Sequence, residues 1–216
     1  HDWLISHESV CYVPGVVAAI KCAIRTFTKP GEKILIQSPV YTPFYSSIER
    51  NKRQIVLNPL KLIDNQYKID LYDLKEKLKD NVRMMILCSP HNPGGMVWKR
   101  EELTEIARLC AEKEVLIVSD EIHSDIVYSG NKHIPIASLS EATAQNTITC
   151  IAPSKTFNIA GLVASAIIIP NKINFEKYQE EISASGYEVN LMGITAMEAA
   201  YRYGEEWLDQ LMEYLE

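Results

Sequence analysis

The stretch Val115-Leu116-Ile117-Val118-Ser119-Asp120-Glu121-Ile122-His123-Ser124-Asp125 changes character at its middle. Val115–Ser119 is a short, mostly apolar run, and acids and a histidine follow it at once. A run of that length, apolar on both faces, suits a strand of a parallel sheet covered by helices on either side. In such sheets ligands bind beyond the carboxyl ends of the strands. The stretch therefore points to a fold class and to the edge of the fold where chemistry belongs.

Reading outward, similar runs occur at Lys33–Gln37, Gln54–Leu57, Met84–Cys88, Thr147–Ala152 and Ala164–Ile169. Helical patterns lie between them. Asp70 is placed to cap a helix carrying Leu71, Leu74 and Leu78 on one face. Residues Lys99–Lys113 repeat the pattern with Leu103, Ile106, Ala107, Leu109 and Cys110. A helix from about Gly15 to Phe27 precedes the first strand, and Glu198–Leu215 reads as one helix at the far end. The alternation predicts an α/β fold, a three-layer sandwich around a mostly parallel central sheet. No repeat, low-complexity segment or linker divides residues 1–216.

Composition narrows the function classes. With 47% hydrophobic and 23% charged residues, the 216-residue chain has the balance of a globular domain, which excludes disorder. Twenty-two Lys and Arg against 28 Asp and Glu give a net charge of −6, which argues against a nucleic-acid or anionic-membrane partner. No apolar stretch approaches the roughly 20 residues of a membrane span. The five cysteines (Cys11, Cys22, Cys88, Cys110, Cys150) show no metal-ligand spacing and read as buried free thiols in a reducing, cytoplasmic setting. The opening His1-Asp2-Trp3-Leu4 has neither an initiator methionine nor a signal-peptide pattern, which suggests a start within a longer protein.

The expected strand ends deliver a varied set of side chains. Ser38-Pro39-Val40-Tyr41-Thr42-Pro43-Phe44-Tyr45 follows the first, Ser89-Pro90-His91-Asn92-Pro93-Gly94-Gly95 the third, and Pro153-Ser154-Lys155-Thr156-Phe157-Asn158 the fifth. An aromatic, an amide, a carboxylate and an amine can thus converge on one crevice. Taken singly each has an ordinary explanation. Lys155 reads as a solvated loop lysine, Asp120 as a helix cap, Asn92 as a turn residue before proline, and Tyr41 or Tyr45 as a core tyrosine.

The ordered set PGVV (14–17), SPVYTPFY (38–45), SPHNPGG (89–95), SDEIHSD (119–125) and SKTFN (154–158) closely resembles the fold-type I pyridoxal-phosphate enzymes of the aminotransferase class I/II superfamily. Within them it is most similar to cystathionine β-lyases of the MalY/PatB type. The resemblance covers essentially the whole chain. It implies that residues 1–216 form the cofactor-binding large domain, with an N-terminal segment and a C-terminal small domain outside the chain. The arginine that grips the substrate carboxylate would lie in that small domain, so residues 1–216 alone are expected to turn over little.

By resemblance, Lys155 is the catalytic lysine that bonds the cofactor aldehyde, an amine that must be positioned and partly desolvated for the task. Asp120 resembles the carboxylate that pairs with the pyridine nitrogen and keeps the ring an electron sink. Asn92 resembles the donor to the phenolic oxygen, and Tyr41 the aromatic stacked on the ring, with Tyr45 a plausible decoy. His123 stands where aminotransferases usually carry a tyrosine, and this Asp-Glu-Ile-His form resembles the lyase branch. Gly15 and Val16 can offer backbone N–H groups to the phosphate at a helix start, and Ser154 a hydroxyl. No arginine lies between Lys155 and Pro170, so neutral donors would hold the phosphate.

The implied activity is α,β-elimination from a sulfur-containing amino acid, with Lys155 as general base, yielding a thiol, pyruvate and ammonia. An aminotransferase on the same scaffold is one alternative. A non-catalytic, cofactor-binding regulatory protein is the other. The resemblance further implies a cytoplasmic homodimer with pyridoxal 5′-phosphate as cofactor and no metal.

Overall fold

A computed structural model describes residues 1–216. Its strands are β1 (Val10–Val13), β2 (Lys33–Ile36), β3 (Gln54–Leu57), β4 (Lys61–Ile63), β5 (Gln66–Lys68), β6 (Val82–Cys88), β7 (Leu116–Asp120), β8 (Thr147–Ile151) and β9 (Ser165–Ile168). The helices are α1 (Val16–Phe27), α2 (Pro43–Arg50), α3 (Leu71–Lys77), α4 (Arg100–Glu112), α5 (Glu141–Gln145), α6 (Pro153–Thr156), α7 (Lys172–Ala184), α8 (Leu191–Tyr203) and α9 (Glu205–Leu215). Seven strands form one sheet in the order β1-β9-β8-β7-β6-β2-β3. The pairings β2–β3, β2–β6, β6–β7 and β7–β8 are parallel, whereas β9 runs antiparallel to both its neighbours. The expected α/β sandwich with a mostly parallel sheet is the fold.

Period-two alternation splits the sheet residues between two cores. Ile34, Ile36, Met84, Ile86, Cys88 and Val118 face α1, where Ala19, Ile20, Ala23 and Ile24 are fully buried. Leu35, Met85, Leu87 and Ile117 face the opposite layer and meet Leu74 of α3 and Leu103, Ile106 and Leu109 of α4. Small alanines on α1 let that helix lie close to the sheet, which brings its first turn to the carboxyl edge. Asp70 caps α3 as expected, accepting the Asp73 N–H at 3.1 Å. All five cysteines are free and buried.

Some boundaries differ from the sequence expectation. Strand β1 and the β4–β5 hairpin were not foreseen. The far-end helix is two helices, α8 and α9, broken at Gly204. A Cβ on Gly204 would overlap both Phe157 Cε1 and the Ala200 carbonyl oxygen, so the chain bends where the Phe157 ring is seated. No helix is long and apolar enough to cross a membrane.

Candidate active site

Strands β2, β6, β7 and β8 end at the same edge, and β1, antiparallel to β9, ends there too. A cavity of about 300 Å³ opens at that edge. Its wall contains all eight residues singled out from the sequence: Gly15, Val16, Tyr41, Asn92, Asp120, His123, Ser154 and Lys155. They come from five separate strand exits, so the sheet topology gathers residues as far apart in sequence as Gly15 and Lys155.

Asp120 is the last residue of β7 and is only 4% exposed. Its strand neighbours in register are Cys88 on β6 and Cys150 on β8. Burial raises both thiols, Cys88 to about 12 and Cys150 well above the ordinary value, so neither supplies charge. Asp120 Oδ1 accepts one N–H, from Ile122 at 3.2 Å, and no cation forms an ion pair with it. Burial pushes its carboxyl up to about 7; the Glu121 charge adds to the rise, while the Ile122 N–H and the Lys155 charge oppose it. Such a group is a buried acid awaiting a cationic or N–H partner.

Lys155 stands on α6, a four-residue helix that begins two residues after β8 ends. Its charge acts on Asp120 and also on His123, whose imidazole is lowered first by burial and then by that ammonium. His123 is therefore held neutral. The Asn92 backbone N–H donates to Cys88 Sγ at 3.3 Å, and its carboxamide makes no hydrogen bond within the chain. Tyr41 is 37% exposed, with its ring edge-on to Phe44 at 5.9 Å. Tyr45 instead packs against the core.

The start of α1 needs one correction. Gly15 has a φ of 92°, a left-handed conformation suited to glycine, and its N–H is taken by the Val13 carbonyl at 2.7 Å. It shapes the turn and does not donate into the cavity. The first-turn N–H groups of Val16, Val17 and Ala18 have no helical acceptor, and all three residues line the cavity. Val17 and Ala18 were missed in the sequence, although the rule that a helix leaves its first N–H groups free points to them. Cys88 was missed too; its place at the end of β6, level with Asp120, is the signal.

The chain matches the family model for aminotransferase class I and II over residues 3–214. It is 50% identical over 218 residues to cystathionine beta-lyase PatB of Bacillus subtilis, an alignment covering all of this chain and 56% of that protein. A PLP-bound putative aminotransferase from Clostridium difficile superposes with a TM-score of 0.97 at 43% identity, covering 100% of this chain and 56% of that one. Cystalysin from Treponema denticola, whose structure contains pyridoxal 5′-phosphate, gives 0.96 at 38% identity, covering 99% and 55%. The chain thus spans about half the length of the curated relatives it matches. Sheet order, strand-end residues and sequence agree: the chain belongs to the aminotransferase class I and II family.

Proposed function

We propose that this chain is the cofactor-binding part of a pyridoxal-phosphate-dependent carbon–sulfur β-lyase. The reaction is cleavage of the Cβ–S bond of cystathionine or another S-substituted cysteine to a thiol, pyruvate and ammonia. The observation that carries this reading is Asp120: a buried carboxyl without a cation, in one cavity with Lys155. A pyridine N–H supplies the missing partner, and an aldehyde on the same ring suits the amine. The three free N–H groups of α1 and the Ser154 hydroxyl suit a phosphate. The residues present therefore fit pyridoxal phosphate.

When bound, the cofactor holds the substrate amine and stores the electrons released at Cα. The chain does the rest. Asp120 keeps a proton on the ring nitrogen, and its buried setting strengthens that interaction. The Asn92 carboxamide donates an N–H to the phenolic oxygen. Tyr41 offers a flat face to the ring. Lys155 Nζ takes the proton from Cα. Neutral His123, on the same wall, presents a polar edge without a competing charge.

The Asp-Glu-Ile-His form and the likeness to PatB favour elimination over transamination. The reading includes a homodimer, supported by exposed Tyr12, Leu191, Met192 and Trp207, and a cytoplasmic setting, supported by five free cysteines. Pyruvate release from cystathionine by the full-length protein, with no keto-acid acceptor present, tests the activity. Turnover only after an acceptor is added would assign the protein to transamination instead.

A further inference from the structure

Thr156, the residue after Lys155, is fully buried, and its hydroxyl donates to Asp125 Oδ2 at 2.8 Å. Asp125 stands on the exit from β7, five residues past Asp120 and two past His123. That exit is a tight series of turns, with the Ser124 N–H on the Glu121 carbonyl and the Ile126 N–H on the His123 carbonyl, each at 3.0 Å. Helix α6 has only four residues, and its closing bond is the Phe157 N–H on the Pro153 carbonyl at 2.9 Å. One helical turn is a poor platform by itself. The place of Lys155 relative to Asp120 and His123 therefore depends on ties from outside the helix.

We propose that Asp125 is a positioning residue for Lys155, acting through the Thr156 hydroxyl to lock the lysine-bearing turn to the segment that carries Asp120 and His123. The inference rests on the reading of the cavity as a pyridoxal-phosphate site. A hydroxyl donating to an ionised carboxylate makes a stronger bond than a neutral pair, and burial of Thr156 strengthens it further. Neither Asp125 nor Thr156 lines the cavity, so both act on the placement of Lys155 and touch nothing bound there. Around Asp125, His1 Nε2 lies 3.1 Å from the second carboxylate oxygen, and the Tyr201 phenol feels the Asp125 charge. The His1 contact is to Oδ1, whereas the Thr156 hydroxyl takes Oδ2.

Two phosphates separate placement from binding. Pyridoxine 5′-phosphate lacks the aldehyde and reports the cavity alone, by fluorescence titration. Pyridoxal 5′-phosphate also bonds the amine: nitrogen joins the aldehyde carbon, water leaves, and borohydride supplies the hydride that makes the link permanent. Thr156→Val and Asp125→Ala should bind pyridoxine phosphate within about twofold of wild type but be trapped at Lys155 about tenfold more slowly, since small misplacements cost at least that much. The double variant should be no slower than either single, as expected of two ends of one bond. Thr156→Ser keeps the hydroxyl and should stay close to wild type, whereas Asp125→Asn keeps an acceptor but loses the charge and should fall between wild type and Asp125→Ala, so this pair decides the matter if the others do not fold. Wild-type trapping rates in Thr156→Val and Asp125→Ala would overturn the inference alone. So would parallel loss of binding and trapping, or slowing that multiplies in the double variant. Failure of the wild type to bind either phosphate is a different result, which removes the reading of the cavity and this inference with it.

Discussion

Phe157 occupies the space that a side chain on Gly204 would need. The ring, two residues beyond Lys155, also lies 6.0 Å from the Tyr201 ring and 5.9 Å from the Trp207 ring. The elbow between α8 and α9 is thus built around a residue of the lysine-bearing segment. Gly204→Ala should force the ring or the helix end to move, a cost of about 1–3 kcal/mol for overpacking. Thermal unfolding should shift down by several degrees, on the order of 2–4 °C per kcal/mol at this size. An unchanged midpoint would show that the elbow has slack.

Asp120 makes stability depend on pH in an unusual direction. Its folded pKa, about 7, lies above the ordinary 3.8, so between about pH 4 and 7 the folded form binds more protons than the unfolded one. Stability from this group is full at low pH and is lost as pH rises through 7. Asp120→Asn should therefore flatten the loss over that window, by up to about 4 kcal/mol from a shift near three pH units. Denaturant titrations of both proteins, without cofactor, at intervals from pH 4 to 8 give the difference directly. Identical slopes would mean that Asp120 is already paired.

The same carboxylate should govern turnover. Removing it leaves the ring nitrogen without its proton partner, so in the full-length form of the proposed lyase Asp120→Ala should lower kcat by several orders of magnitude with the fold intact. Activity within about tenfold of wild type, roughly 1.4 kcal/mol in barrier, contradicts the role given to Asp120.

His91 works in the opposite sense. Its ring is buried, Nδ1 accepts the Gly94 N–H at 3.2 Å, Nε2 has no partner, and burial lowers its pKa from 6.5 to about 4. The folded form therefore binds fewer protons than the unfolded one between those values, and stability falls as pH drops from 6.5 toward 4. Replacement by the non-titrating Asn should remove up to about 3 kcal/mol of that acid sensitivity. Comparison of the acid limbs of His91→Asn and wild type checks this, and coincident limbs would count against it.

The parallel strands were the most legible part of the fold, because runs such as Met84–Cys88 are buried on both faces and need no context to be read. Strand β1 is also a continuous apolar run, Val10-Cys11-Tyr12-Val13, with Cys11 and Val13 inward and Tyr12 outward, so its signal was present but short. The β4–β5 hairpin carried a local signal that was passed over, since Asp64 and Asn65 both take positive φ, the demand of a two-residue turn. The break had a readable signal in Gly204, a glycine inside the helical pattern followed at once by Glu205 and Glu206; the seating of the Phe157 ring beside it was not readable, because Phe157 is distant in sequence. In the site, residue types at strand ends were legible. That the Gly15 N–H is occupied was not, because that depends on the turn that brings it to the Val13 carbonyl.

Lys155 and Asp120 share one cavity whose residues fit pyridoxal phosphate. Incubation with that cofactor, reduction with borohydride and peptide mass mapping test it most directly. One reduced adduct is expected, on the peptide containing Lys155, absent in Lys155→Ala and diminished in Asp120→Ala. An adduct on another lysine, or one that survives in Lys155→Ala, would contradict it.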